Sequence, residues 1–125
     1  MEGVYKRLNT EVEKIQSIQK ELQKCLQAHR QLGAQLSENE NVKEDLSLLD
    51  ESNTIYKLVG PVLIKEDLES ARDTVKKRIG YITSELKRQD DRIKELEKQQ
   101  DGCREQIAKL QQRLQQEQTK AALKA

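Results

Sequence analysis

The sequence predicts a mainly α-helical fold, a long antiparallel coiled-coil hairpin of two helices with one β-hairpin at its centre. Three observations carry that prediction. Apolar residues recur at heptad spacing through both halves of the chain, and the halves are otherwise charged and rich in glutamine. The single proline sits in a short β-branched apolar segment, TIYKLVGPVLIK, from Thr54 to Lys65. The expected organisation is a first helix over 1–50, a hairpin over 51–66 and a second helix over 67–125.

Helices are expected because a compact core is not. Of 125 residues, 34% are hydrophobic, 36% are charged and 2% are aromatic, with no Trp or Phe. So few large side chains leave either disorder or long exposed helices, and the periodicity selects helices. The 23 basic and 22 acidic residues give a net charge of +1 and are interspersed, as in RQDDRIKELEKQQD. That is the pattern of solvated helix faces with i,i+4 pairs; nucleic-acid binding requires a clustered basic stripe. The densest basic run, Lys76-Lys77-Arg78, is three residues long and follows Asp73. No apolar run approaches the roughly 20 residues that span a bilayer. The opening MEGVYKRLNTEVEK lacks a signal-peptide apolar core. A soluble intracellular protein with neither nucleic acid nor membrane as partner is expected.

In the first arm, Leu8, Ile15, Leu22, His29 and Leu36 share one heptad position, and Ile18, Cys25 and Leu32 the next seam position. Val12 and Leu26 widen the stripe, which then drifts through Val42, Leu46 and Leu49. Gly33 and Ser37–Asn41 weaken the helix without ending it, and Asp50–Asn53 is a firmer stop.

The second arm is more regular. Ile79, Leu86, Ile93, Gln100, Ile107, Leu114 and Ala121 form one seam, and Val75, Ile82, Gln89, Leu96, Cys103, Leu110 and Glu117 the other. Eleven of these fourteen positions are apolar, too many for chance. Glu66, Asp67 and Glu69 favour the positive end of a helix, and Asp67 is a candidate N-cap. An arm from about Asp67 to Ala121 extends roughly 80 Å at helical rise, so its narrow stripe needs a partner helix.

Between the arms, Thr54, Tyr56 and Leu58 alternate with Ile55 and Lys57, and Gly60-Pro61 separates this run from Val62-Leu63-Ile64. Two β-rich runs about a Gly-Pro break read as a hairpin. A lone two-stranded hairpin is marginal in water, and this one has apolar residues on both faces. It is an assembly element that needs strands from other chains.

Folding the arms back with Leu49 opposite Leu68 places His29 beside Gln89, Gln19 beside Gln100, Val12 beside Ile107 and Leu22 beside Leu96. Polar seam residues then meet polar ones, an arrangement that fixes register. The same register sets Cys25 about 15 Å along the axis from Cys103. A disulfide needs Cα atoms within about 7 Å, so free thiols are expected.

Sites for chemistry are sparse. Cys25 and His29 are four apart, a spacing that offers two ligands from one helix, but closed zinc sites take four. The packing reading is favoured, and no metal is expected. His29 has no nucleophile placed beside it for general-base work, and Asp90-Asp91 reads as solvated surface. The chain contains no GxGxxG or Walker pattern. Neither catalysis nor a cofactor is expected.

The stretch NTIYKLVGPVLIKEDLESARDTVKKRIGYITSELKR, Asn53 to Arg88, resembles the signature of β-class prefoldin subunits, most of all the eukaryotic subunit-six type. Helix, single hairpin and helix follow the family's order, whereas the α class has two hairpins. The resemblance implies that the hairpin joins an intersubunit β-barrel with two α-class and three other β-class subunits. Ile55, Tyr56, Leu58, Val59, Gly60, Pro61, Val62, Leu63 and Ile64 would lie in that platform. It also implies a heterohexameric co-chaperone that binds unfolded polypeptides, notably actin and tubulin chains, without ATP and delivers them to the cytosolic chaperonin. Val4, Tyr5, Leu8, Leu110, Leu114 and Ala121 are the apolar residues at the open ends of the arms and the candidate client-binding tips. The alternative is a passive coiled-coil scaffold that never grips a client.

Overall fold

The computed structural model describes residues 2–124. Its elements are α1 (Glu2–Ser47), β1 (Ile55–Val59), β2 (Val62–Glu66) and α2 (Leu68–Lys124). The described residues divide into two packing units. One joins the chain up to Gln27 with the chain from Asp90, and the other is Ala28–Gln89.

In the first unit, Ile18, Leu96 and Cys103 form a buried cluster on which Ile15, Leu22 and Cys25 pack. Leu96 is the one large side chain there with no exposure at all. Val4 and Leu110 are also buried. Seam positions set the packing and charges flank them, as in a coiled coil. Arg92 Nε donates to Glu21 Oε1 at 2.8 Å across the helix pair. Both side chains are nearly half exposed, so the pair contributes at most about 1 kcal/mol.

In the second unit, Leu46, Ala71 and Val75 form a cluster joined by Leu49, Leu68, Ile79 and, from the hairpin, Ile55. Local chemistry defines the elements around it. Asp67 caps α2, its Oδ2 accepting from the Ser70 amide at 3.1 Å while its carbonyl takes the first helical bond from Ala71. The Asp50–Asn53 turn closes reciprocally. The Asp50 amide donates to Asn53 Oδ1 at 2.9 Å and the Asn53 amide to the Asp50 carbonyl at 3.0 Å. The Ser52 hydroxyl and amide both donate to Asp50 Oδ1, which holds that carboxyl below its ordinary value.

Two readings of α1 need correction. Val12, Leu26 and Val42 are 36%, 43% and 44% exposed and do not belong to the seam. Val4, Ile18, Cys25, Leu32 and Leu46 hold one strict heptad phase, which turns the intervening positions Glu11 and Asn39 inward and leaves both half-buried. Val12 sits one residue, about 100° of helix, past the inward position. After Leu36 that phase continues through Asn39 to Leu46, whereas Lys43, in phase with Leu36, is exposed and Leu49, one residue out of phase, packs inward. Val42 is outside the stripe, and Val12 is not a seam partner of Ile107.

Candidate assembly and client-contact surfaces

The hairpin pairs Ile55 with Glu66, Tyr56 with Lys65, Lys57 with Ile64, Leu58 with Leu63 and Val59 with Val62. Its two-residue loop has a positive φ, 58°, at Gly60 only. Pro61 fixes its own φ near −65°, so the turn has the II′ pattern, whose twist suits paired strands. Directly opposed residues share a face. One face therefore carries Ile55, Val59, Val62 and Ile64 with Lys57 and Glu66, and the other carries Tyr56, Leu58 and Leu63 with Lys65. Only Ile55 is turned into the cluster below; Tyr56, Leu58, Val59, Val62, Leu63 and Ile64 are between 48% and 68% exposed. The sheet has two strands, so both are edge strands with an unpaired row of backbone groups.

At the arm ends the seam is closed more fully than the sequence suggests. Val4 and Leu110 are buried and Leu8 and Leu114 half-buried, leaving Tyr5 and Ala121 as the exposed members of the six candidate tip residues. Gln118 Nε2 donates to the Tyr5 hydroxyl at 3.2 Å. Leu123, which the heptad count did not single out, is 83% exposed.

The comparisons with known proteins agree with this architecture. The sequence profile described as prefoldin subunit matches residues 9–121. The chain belongs to the prefoldin subunit family. It is 49% identical over 121 residues to "Prefoldin subunit 6" of Mus musculus, covering 97% of this chain and 95% of that one. It is 50% identical over 98 residues to "Prefoldin subunit 6" of Arabidopsis thaliana, covering 78% and 76% of the two chains. In structure it is similar to the prefoldin beta subunit from Thermococcus strain KS-1. There the TM-score is 0.71 at 21% identity, covering 86% of this chain and 92% of that one. The fold is thus that of the prefoldin β subunits, and the sequence relatives are of the subunit-six type. Prefoldin subunits are components of a multi-subunit chaperone assembly.

The polar seam residues of this prefoldin subunit do not behave alike. His29, Gln89 and Gln100 are half-buried, whereas Gln19 lies on the exposed face of α1 and is not in the seam. Gln89 Oε1 is fully enclosed. Among the described residues there is no group of three or more His, Cys, Asp or Glu side chains arranged to hold a metal ion, and no helix long and apolar enough to cross a membrane.

Both cysteines are free thiols. Cys103 is 5% exposed, and burial pushes its thiol above the ordinary value. The neighbouring Glu11 carboxylate adds to the shift, and Lys14 opposes it. Glu11, like Asn39, is a seam residue that an apolar count misses, and Lys14 Nζ lies 3.8 Å from its Oε1. A thiol reacts as its thiolate, so Cys103 is protected both by access and by protonation. At pH 8 in excess iodoacetamide, Cys25 is expected to be alkylated at least tenfold faster than Cys103, as followed by mass spectrometry. Equal rates would show that the Ile18–Leu96–Cys103 cluster is open to solvent.

Proposed function

We propose that this chain is a subunit of a heterohexameric prefoldin that grips clients directly. Its hairpin joins two α-class and three other β-class subunits. The complex holds unfolded polypeptides, actin and tubulin chains among them, in the cytoplasm without ATP and delivers them to the cytosolic chaperonin. The observation that carries the reading is the hairpin, with six exposed apolar side chains on two faces and two unpaired edges. Added strands would satisfy the edges and bury both faces at once.

Client contact is assigned to the arm ends. Tyr5, Ala121 and Leu123 offer exposed contact surface, while Val4, Leu8, Leu110 and Leu114 become available when the terminal turns open. Binding through local opening is weak and reversible, which suits holding followed by release. His29 opposite Gln89 serves as the polar layer that fixes the register of the arms.

The passive scaffold remains the competing reading, and the burial of Val4 and Leu110 favours it. Aggregation suppression separates the two. The reconstituted hexamer is expected to suppress aggregation of unfolded actin, and a hexamer lacking residues 1–8 and 111–125 to assemble normally yet suppress several-fold less. Full suppression by the trimmed hexamer would establish the scaffold reading for this subunit.

A further inference from the structure

The last turn of α1 contains no basic residue, so its negative end lacks a cation from its own helix. Arg72, from the second turn of α2, supplies it. Its Nε and Nη2 donate to the Leu46 carbonyl at 3.2 and 2.9 Å, and Nη2 also donates to the Leu49 carbonyl at 2.7 Å. Nη1 donates to Glu69 Oε1 at 2.9 Å. One planar fork thus ties the end of α1, the start of the loop that leads into β1 and the first turn of α2. Only a guanidinium can do this, since a lysine ammonium is a point donor on a flexible stem.

The position of this fork matters because of what it borders. Leu46, whose carbonyl the fork holds, is buried in one cluster with Ala71, and Ile55 of β1 packs on the same cluster. On the other side of the hairpin, Glu66 of β2 is separated from α2 by Asp67 alone, which is itself held as the N-cap. The β2 root is therefore short and capped, whereas the β1 root is a seven-residue connection between Ser47 and Ile55. That longer connection is fixed at its start by Arg72 and in its middle by the Asp50–Asn53 turn.

We infer that Arg72 is a positioning residue for assembly: by clamping Leu46, Leu49 and Glu69 it sets the direction in which the hairpin leaves the helices. This role holds only if the hairpin joins other subunits, as proposed above. A hairpin delivered in one orientation binds its neighbours without first having to be ordered, and freeing its root weakens binding without removing any interface contact.

The test compares the full-length wild-type chain with Arg72→Ala, Arg72→Lys and Leu96→Ala in reconstitution with the α-class and other β-class subunits. Assembly is read by a dissociation constant, helix content by circular dichroism, and order at the hairpin root by amide hydrogen exchange. The expected result for Arg72→Ala is at least tenfold weaker assembly and faster exchange at Leu49 and Asn53, with unchanged helix content. Arg72→Lys should fall between Arg72→Ala and wild type. Leu96→Ala should lower thermal stability while leaving the assembly constant within about twofold, which separates positioning from general destabilisation. Wild-type assembly by Arg72→Ala would overturn the inference, as would weakened assembly accompanied by a matching loss of helix. Failure of the wild-type chain itself to assemble would instead overturn the assembly reading.

Discussion

Leu96→Ala is expected to destabilise the chain by about 2–4 kcal/mol, the range for a buried leucine whose surroundings only partly collapse. Leu96 is 0% exposed and is shared by Ile18, Cys103, Ile15, Leu22 and Cys25, so truncation leaves a gap among side chains from both helices. Neither helix is held by propensity alone, because most helix stability in a folded chain comes from packing an apolar face. The charged flank offers little compensation. The Glu21–Arg92 pair is solvent-exposed, and its removal by Arg92→Ala should cost less than about 1 kcal/mol. Urea unfolding followed by circular dichroism checks both values. A loss below 1 kcal/mol for Leu96→Ala would mean that the first unit is not held by this cluster.

Much of that packing is legible in the sequence, and the failures have a common cause. In α2 the apolar residues keep one phase, and the seam positions from Val75 to Glu117 are all buried or half-buried. In α1 the phase is carried partly by polar residues, so a count of apolar ones places Val12 and Val42 in the stripe and passes over Glu11 and Asn39. Strict seven-residue spacing from Val4 to Ile18 was the available signal for Glu11. Burial at the tips follows from the same phase. Val4 and Leu110 are apolar residues near chain ends, but each occupies a seam position with an apolar layer nearby, and such residues stay packed. Arg72 could not be found from sequence at all. Its acceptors are main-chain carbonyls 23 and 26 positions earlier, and carbonyls carry no side-chain signature. The hairpin was the easiest element to read, since Gly60-Pro61 between two β-branched runs leaves few other structures possible.

Leu58→Lys combined with Leu63→Lys is expected to abolish assembly while leaving the helices intact. The two leucines are directly opposed across the hairpin and are 68% and 64% exposed, so neither supports the chain's own clusters. Substituting both therefore costs the isolated chain little and increases its solubility by removing an exposed apolar patch. In an assembled platform the same positions would place two like charges side by side on a buried face. Each unpaired buried charge costs several kcal/mol, and the like-charge contact adds to it, so the dissociation constant should rise by more than about 100-fold. The other face provides a second arm of the experiment. Val59→Lys with Val62→Lys puts an equal charge pair beside the turn on the face that carries Ile55 and Ile64. If both faces are covered by neighbouring subunits, both double variants fail to assemble. Loss with only one of them would identify the single buried face, and the other face would then be solvent-exposed in the complex. Sedimentation of each variant with its partner subunits measures the outcome, and assembly of both variants at wild-type affinity would rule out the hairpin as the assembly element.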